Sequence, residues 1–104
     1  MRALVLALMA TPAAAWTPAP GVEAALAGRT VDYASGAWQR FAPSGATLYD
    51  AGEPSWGRWA ERDGLYCSEW PPASGWTCYA LEVDGRRVRF VDARGGSTEG
   101  LFRE

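Results

Sequence analysis

From residue 29 onward the apolar residues alternate with polar ones in short runs, a period of two rather than the helical 3.6. Glycines punctuate these runs at Gly36, Gly45, Gly52, Gly64, Gly75, Gly85 and Gly95-Gly96, roughly every ten residues. The segments between them are rich in Val, Thr, Trp, Tyr and Phe, the side chains that suit a pleated, half-buried surface. Eight strands are predicted, near 29–33, 37–42, 46–50, 55–61, 65–70, 75–83, 86–92 and 97–103. Helical spacing occurs only in Gly21–Gly28, where Val22, Ala25 and Leu26 share one side and Gly28 supplies the stop. Ahead of it, Trp16-Thr17-Pro18-Ala19-Pro20 reads as an extended linker.

Three features predict registers in the second half of the chain. Asp63-Gly64 suits a two-residue hairpin turn and pairs Glu61 with Tyr66, Trp59 with Ser68 and Arg58 with Glu69. Asp84-Gly85, read the same way, sets Val83 against Arg86, Leu81 against Val88, Tyr79 against Phe90 and Glu82 against Arg87. Cys67 opposite Cys78 puts Tyr66 against Tyr79 and Ser68 against Thr77. All three agree on one division of faces. Trp59, Tyr66, Tyr79, Leu81, Val83, Val88 and Phe90 point to the core, and the charge pairs lie outside beside the disulfide. The first two hairpins and the last strand yield no comparable register. Eight short sequential antiparallel strands predict an all-β up-and-down meander closed into a barrel, since closure removes the exposed edges. A two-layer β-sandwich is the alternative.

The N-terminus reads differently. Met1-Arg2, the apolar run Ala3–Ala10 and Thr11-Pro12-Ala13-Ala14-Ala15 form the charged, apolar and small-residue regions of a secretory signal peptide. The run is far short of the roughly 20 residues of a spanning helix. Residues 1–15 are therefore expected to be a signal peptide cut after Ala15, 16–28 a linker with a short helix, and 29–104 a single barrel domain. The expected product is a soluble, exported protein, periplasmic or secreted, with no membrane span. In an oxidising compartment the sole cysteine pair, Cys67 and Cys78, is expected to form a disulfide.

Composition narrows the chemistry. Hydrophobic residues make up 48% and charged residues 21% of the chain, a globular balance, and the net charge of −2 is the wrong sign for a nucleic-acid binder. All ten basic residues are arginine, with no His or Lys. The chain thus lacks the commonest general base, metal ligand and Schiff-base amine. No metal site or cofactor is expected, and the protein is not expected to be an enzyme. A carboxylate pair such as Asp50 and Glu53 is what a small glycan hydrolase would need, but both fall at a turn that reads as a solvated loop.

Tyr49-Asp50, Gly52, Trp56-Gly57-x-Trp59, Gly64-x-Tyr66-Cys67-Ser68-x-Trp70 and Trp76-x-Cys78-Tyr79 resemble a family of small, exported bacterial domains of uncharacterised function. The resemblance covers about a third of the chain. It implies a small β-barrel and a periplasmic home, without an assigned chemistry. By architecture alone the plan is also similar to lipocalin-type barrels, including secreted protein inhibitors with one disulfide.

Binding or an envelope-accessory role is therefore the expected function class, with an envelope protein, a cell-wall glycan or a small ligand as partner and a monomer as the expected state. Two surfaces are candidates. Trp56 and Trp76, placed outward near Arg58 and Glu69, offer indoles for stacking on sugars or anchoring a protein. Glu61, Tyr66 and Arg86 fall at one rim of the barrel, where they could hold the polar end of a ligand. The many large side chains assigned to the interior suggest that the barrel is filled.

Overall fold

The computed structural model describes residues 15–104, and the expected signal peptide lies almost wholly outside them. The elements are β1 (Thr17–Pro18), α1 (Val22–Leu26), β2 (Arg29–Tyr33), β3 (Trp38–Phe41), β4 (Ala46–Asp50), β5 (Pro54–Arg62), β6 (Leu65–Glu69), β7 (Thr77–Asp84), β8 (Arg87–Val91) and β9 (Ser97–Phe102). Each strand from β2 to β9 pairs antiparallel with its successor, and β2 closes on β9 through Val31 opposite Phe102. The result is the expected closed eight-stranded meander barrel. β1 adds two residues to the edge of β7 beyond the end of β6, setting Thr17 against Val83 and Pro18 against Glu82.

The interior follows from alternation. Val31, Phe41, Trp59, Tyr66, Leu81, Val88, Phe90 and Phe102 form one buried cluster, joined by Val22 and Leu26 of α1. Phe41 sits at its centre, edge-on to Trp59 and Tyr66 at 5.7 and 5.6 Å between centroids and stacked with Phe90 at 6.1 Å. A Cβ on Gly100 would fall 2.5 Å from Val31 Cγ1, so this inward strand position admits only glycine beside the closing pair.

α1 is a single turn, too short to hold itself together. Glu61 Oε1 accepts the Glu23 amide at 2.8 Å, which satisfies one of its unpaired N–H groups. Val22 and Leu26, four residues apart, both bury their side chains in the end of the barrel. Gly28, at φ +78°, then turns the chain into β2, and its amide donates to Phe41 O at 2.7 Å.

The Asp63-Gly64 hairpin has the expected register, with Glu61 opposite Tyr66 and Arg58 opposite Glu69. Both turn residues have positive φ, as a type I′ turn requires. Cys67 and Cys78 face each other with Cα atoms 4.0 Å apart and are joined by a disulfide.

The β7–β8 hairpin corrects the expectation. Asp84 pairs with Arg87, Val83 with Val88, Leu81 with Phe90 and Glu82 with Arg89. The turn is formed by Gly85-Arg86, with positive φ at Gly85 alone, the signature of type II′ with glycine in first place. Each residue of β7 therefore meets a partner two positions further on than the Asp-Gly reading implied. A shift of two leaves every side chain on its own face, so the predicted core residues stay inward while the ion pairs change. Glu82 accepts Arg89 Nε at 2.6 Å, and Arg87 reaches Asp84 and Glu99 instead.

Candidate functional site

The two ends of the barrel are unlike. At the end carrying the 63–64 and 85–86 turns, α1 covers the interior and the expected rim residues are occupied. Glu61 holds the α1 amide. Arg86 donates through Nε and Nη2 to Phe102 O at 3.2 and 3.1 Å and pairs with Glu104 at 3.3 Å. Tyr66 is not on that rim: it is buried, with its hydroxyl turned toward the other half of the barrel, where it accepts Gln39 Nε2 at 3.2 Å.

The opposite end, bounded by the turns near residues 34–37, 51–53, 70–76 and 92–96, opens on a cavity of about 400 Å³. Tyr33, Tyr49, Tyr66, Trp70, Tyr79 and Phe90 make its aromatic wall. Ser35, Gln39, Ser55, Ser68 and Thr98 contribute its polar groups. The interior is thus filled under α1, as the large side chains suggested, and hollow in its other half.

A hydrogen-bond chain fixes the floor. Tyr33 donates to Gln39 Oε1 at 2.7 Å, and Gln39 Nε2 donates to Thr47 Oγ1 at 3.0 Å as well as to Tyr66. Thr47 in turn donates to Arg40 O at 2.8 Å. Gln39 and Thr47 are buried, and no buried side-chain N or O among the described residues lacks a partner. At the mouth, Trp70 Nε1 donates to Ser68 Oγ at 3.1 Å while its ring lies against the Gly57 backbone. No hydrogen bond to protein engages the hydroxyls of Tyr49, Tyr79, Ser55 or Thr98 among the described residues, so these are the groups offered to a ligand.

Burial, with the neighbouring tyrosines, pushes the Tyr33 pKa well above that of a free phenol. Burial raises Tyr66 as well, against opposing hydrogen bonds from Ser68 and Gln39. Both are neutral over the physiological range, and no residue lining the cavity is charged there.

The outer candidate residues share one face. Trp56, opposite Leu48, is 61% exposed. Trp76 is half-buried, with the guanidinium groups of Arg62 and Arg58 at 4.7 and 5.8 Å from its ring. Arg58 and Glu69 form an ion pair across β5 and β6. Glu69 also accepts the Gly75 amide, and that bond first and Arg58 second hold its carboxyl below the usual carboxylate range.

Among the described residues no three His, Cys, Asp or Glu side chains gather as a metal site would need. Asp50 accepts the Gly52 amide at 2.8 Å and so shapes the loop that also carries Glu53. Sequence reasoning passed over Tyr33, Gln39 and Tyr49, because they lie on the hairpins for which no register was legible, and it left Trp70, at the end of the strand predicted near 65–70, without a face. The signal was the period-two pairs Val31/Tyr33, Gln39/Phe41 and Thr47/Tyr49.

The chain matches no protein-family model, no curated protein and no solved structure.

Proposed function

We propose that this protein is an exported, non-catalytic binding protein that holds a small ligand in the open half of its barrel. The observation that carries this reading is the contrast between the ends: one plugged by Val22 and Leu26, the other open on an aromatic cavity of about 400 Å³. The cavity has the size and the lining of a small-molecule site, largely apolar with a few convergent hydroxyls. A binding role also fits its chemistry. Its serine and threonine hydroxyls have no histidine to activate them, and burial holds Tyr33 and Tyr66 neutral. The disulfide suits a periplasmic or secreted home. A monomer suits a sheet that closes on itself.

The test is a thermal-shift and fluorescence screen of the chain beginning at Trp16 against periplasmic small-molecule extract, using three proteins. Ser55→Phe fills the mouth of the cavity, and Trp56→Ala alters only the outer face. A saturating ligand lost in Ser55→Phe and kept in Trp56→Ala is the expected result. The reverse pattern would move the function to the outer face around Trp56, Arg58, Glu69 and Trp76. No saturating ligand for any of the three would end the binding reading.

A further inference from the structure

We propose that the cavity takes a small organic cation, a methylated ammonium head, caged by its aromatic side chains; this rests on the binding reading above. The arrangement of the rings comes first. Tyr49 and Trp70 meet at 76°, Tyr33 makes 51° with Tyr49 and 50° with Phe90, and Tyr66 makes 62° with Phe90, while Tyr66 and Tyr79 lie nearer to parallel at 32°. A flat aromatic ligand needs near-parallel walls to stack between. Rings set at steep angles around one space instead suit a compact, rounded group, and a methylated ammonium is one.

Charge points the same way. The lining contains no cationic side chain, so an anion would find a few hydroxyl donors there but no countercharge to offset its lost hydration. Ring faces and phenol oxygens present partial negative charge, which attracts a cation whose methyl groups make it cheap to desolvate. The open end carries Asp50, at the end of β4, with Glu53 and Asp92 against Arg94, and Glu53 lies with Tyr49 and Ser55 in a shallow pocket beside the cavity. Such an acidic rim draws cations toward the opening.

The protein's own arginines complete the contrast. Arg29 lies over Phe102, Arg58 and Arg62 over Trp76, Arg87 and Arg89 over Trp16, and Arg103 over Trp38. None of these contacts involves Tyr33, Tyr49, Tyr66, Trp70, Tyr79 or Phe90. Trp16, Trp38, Trp76 and Phe102, all outside the cavity, carry internal cations, whereas the rings that line it are left for a cation from solution.

The decisive measurement is a titration of the chain beginning at Trp16, followed by calorimetry and tryptophan fluorescence, with choline, tetramethylammonium, p-cresol and the neutral alcohol in which carbon replaces the nitrogen of choline. Choline is expected to bind about tenfold or more tightly than its uncharged twin. Tyr79→Leu should abolish that preference, and Tyr79→Phe, which keeps the ring face, should retain it. Tyr49→Leu gives a second test should Tyr79→Leu not fold. Equal affinity for choline and the alcohol, or tighter binding of p-cresol, would overturn the cation and leave the cavity as a binding site. Silence from all four probes, with a different ligand still blocked by Ser55→Phe, would do the same. Binding of any probe that Ser55→Phe does not weaken would overturn the cavity reading itself.

Discussion

The indole of Trp70 occupies the space that a side chain on Gly57 would need: a Cβ there would fall 2.5 Å from Trp70 Cε3 and 2.7 Å from Glu69 O. One contact is with a ring and the other with backbone, so no rotamer change relieves both. Gly57→Ala is expected to destabilise the fold by about 1–3 kcal/mol, the usual cost of overpacking, and to push Trp70 toward the cavity mouth. Urea unfolding measures the first effect, and the near-UV circular dichroism of the indole reports the second.

The disulfide joins β6 and β7, strands that the 70–76 loop already brings together, yet it closes a loop in the unfolded chain. Cys78→Ala is expected to cost about 2–5 kcal/mol and to leave the registers of β5, β6 and β7 intact. Denaturant midpoints with and without reductant should converge in the variant and differ in the parent.

Trp59 and Trp56 are three residues apart on β5 and face opposite ways. Trp59 is buried and its Nε1 donates to Ala42 O at 2.9 Å, whereas Trp56 is exposed. Trp59→Ala is expected to destabilise by about 3–5 kcal/mol. Trp56→Ala should stay within about 0.5 kcal/mol of the parent, as at ordinary surface sites. Comparable losses in the two unfolding curves would contradict this assignment of faces.

Alkaline pH should loosen the open half of the barrel. Burial raises the folded-state pKa of Tyr33 above its unfolded value. Its contribution to stability is therefore fully present below about pH 10, where unfolded tyrosine begins to ionise, and is lost as pH rises toward the folded-state pKa. Tyr33→Phe should fall less steeply with pH in that window, read from unfolding free energy against pH. Phenolate absorbance in the parent should lag behind four freely titrating tyrosines until the barrel unfolds.

How much of this was legible depended on whether a local constraint existed. Asp63-Gly64 can place positive φ at both of its residues, and the cysteines can bridge only if opposed, so the β5–β6–β7 register could be counted from the sequence. Asp84-Gly85-Arg86 admits two turns, one beginning at Asp84 and one at Gly85, with similar local sequence preferences. Cross-strand packing of Leu81 on Phe90 and the Glu82–Arg89 pair accompany the second. The cavity was out of reach for a related reason: β2, β3 and β4 carry no such marker, so Tyr33, Gln39 and Tyr49 could not be placed opposite Trp70 and Tyr79.

The sequence by itself determined an all-β meander, the eight strands, the one-turn helix, the cysteine pairing and the inward face of the second half. These follow from period-two alternation, glycine conformations and short-range turn chemistry, all of which act over a few residues. Tertiary structure decided which end of the barrel is closed. Glu61 captures the Glu23 amide 38 residues away, and Val22 and Leu26 then bury in that end only. Nothing local to residues 22–26 specifies the end they plug. Once that end is filled, the hollow left among Tyr33, Tyr49, Trp70 and Tyr79 is a property of the closed barrel, because its walls come from strands that meet only when β2 pairs with β9.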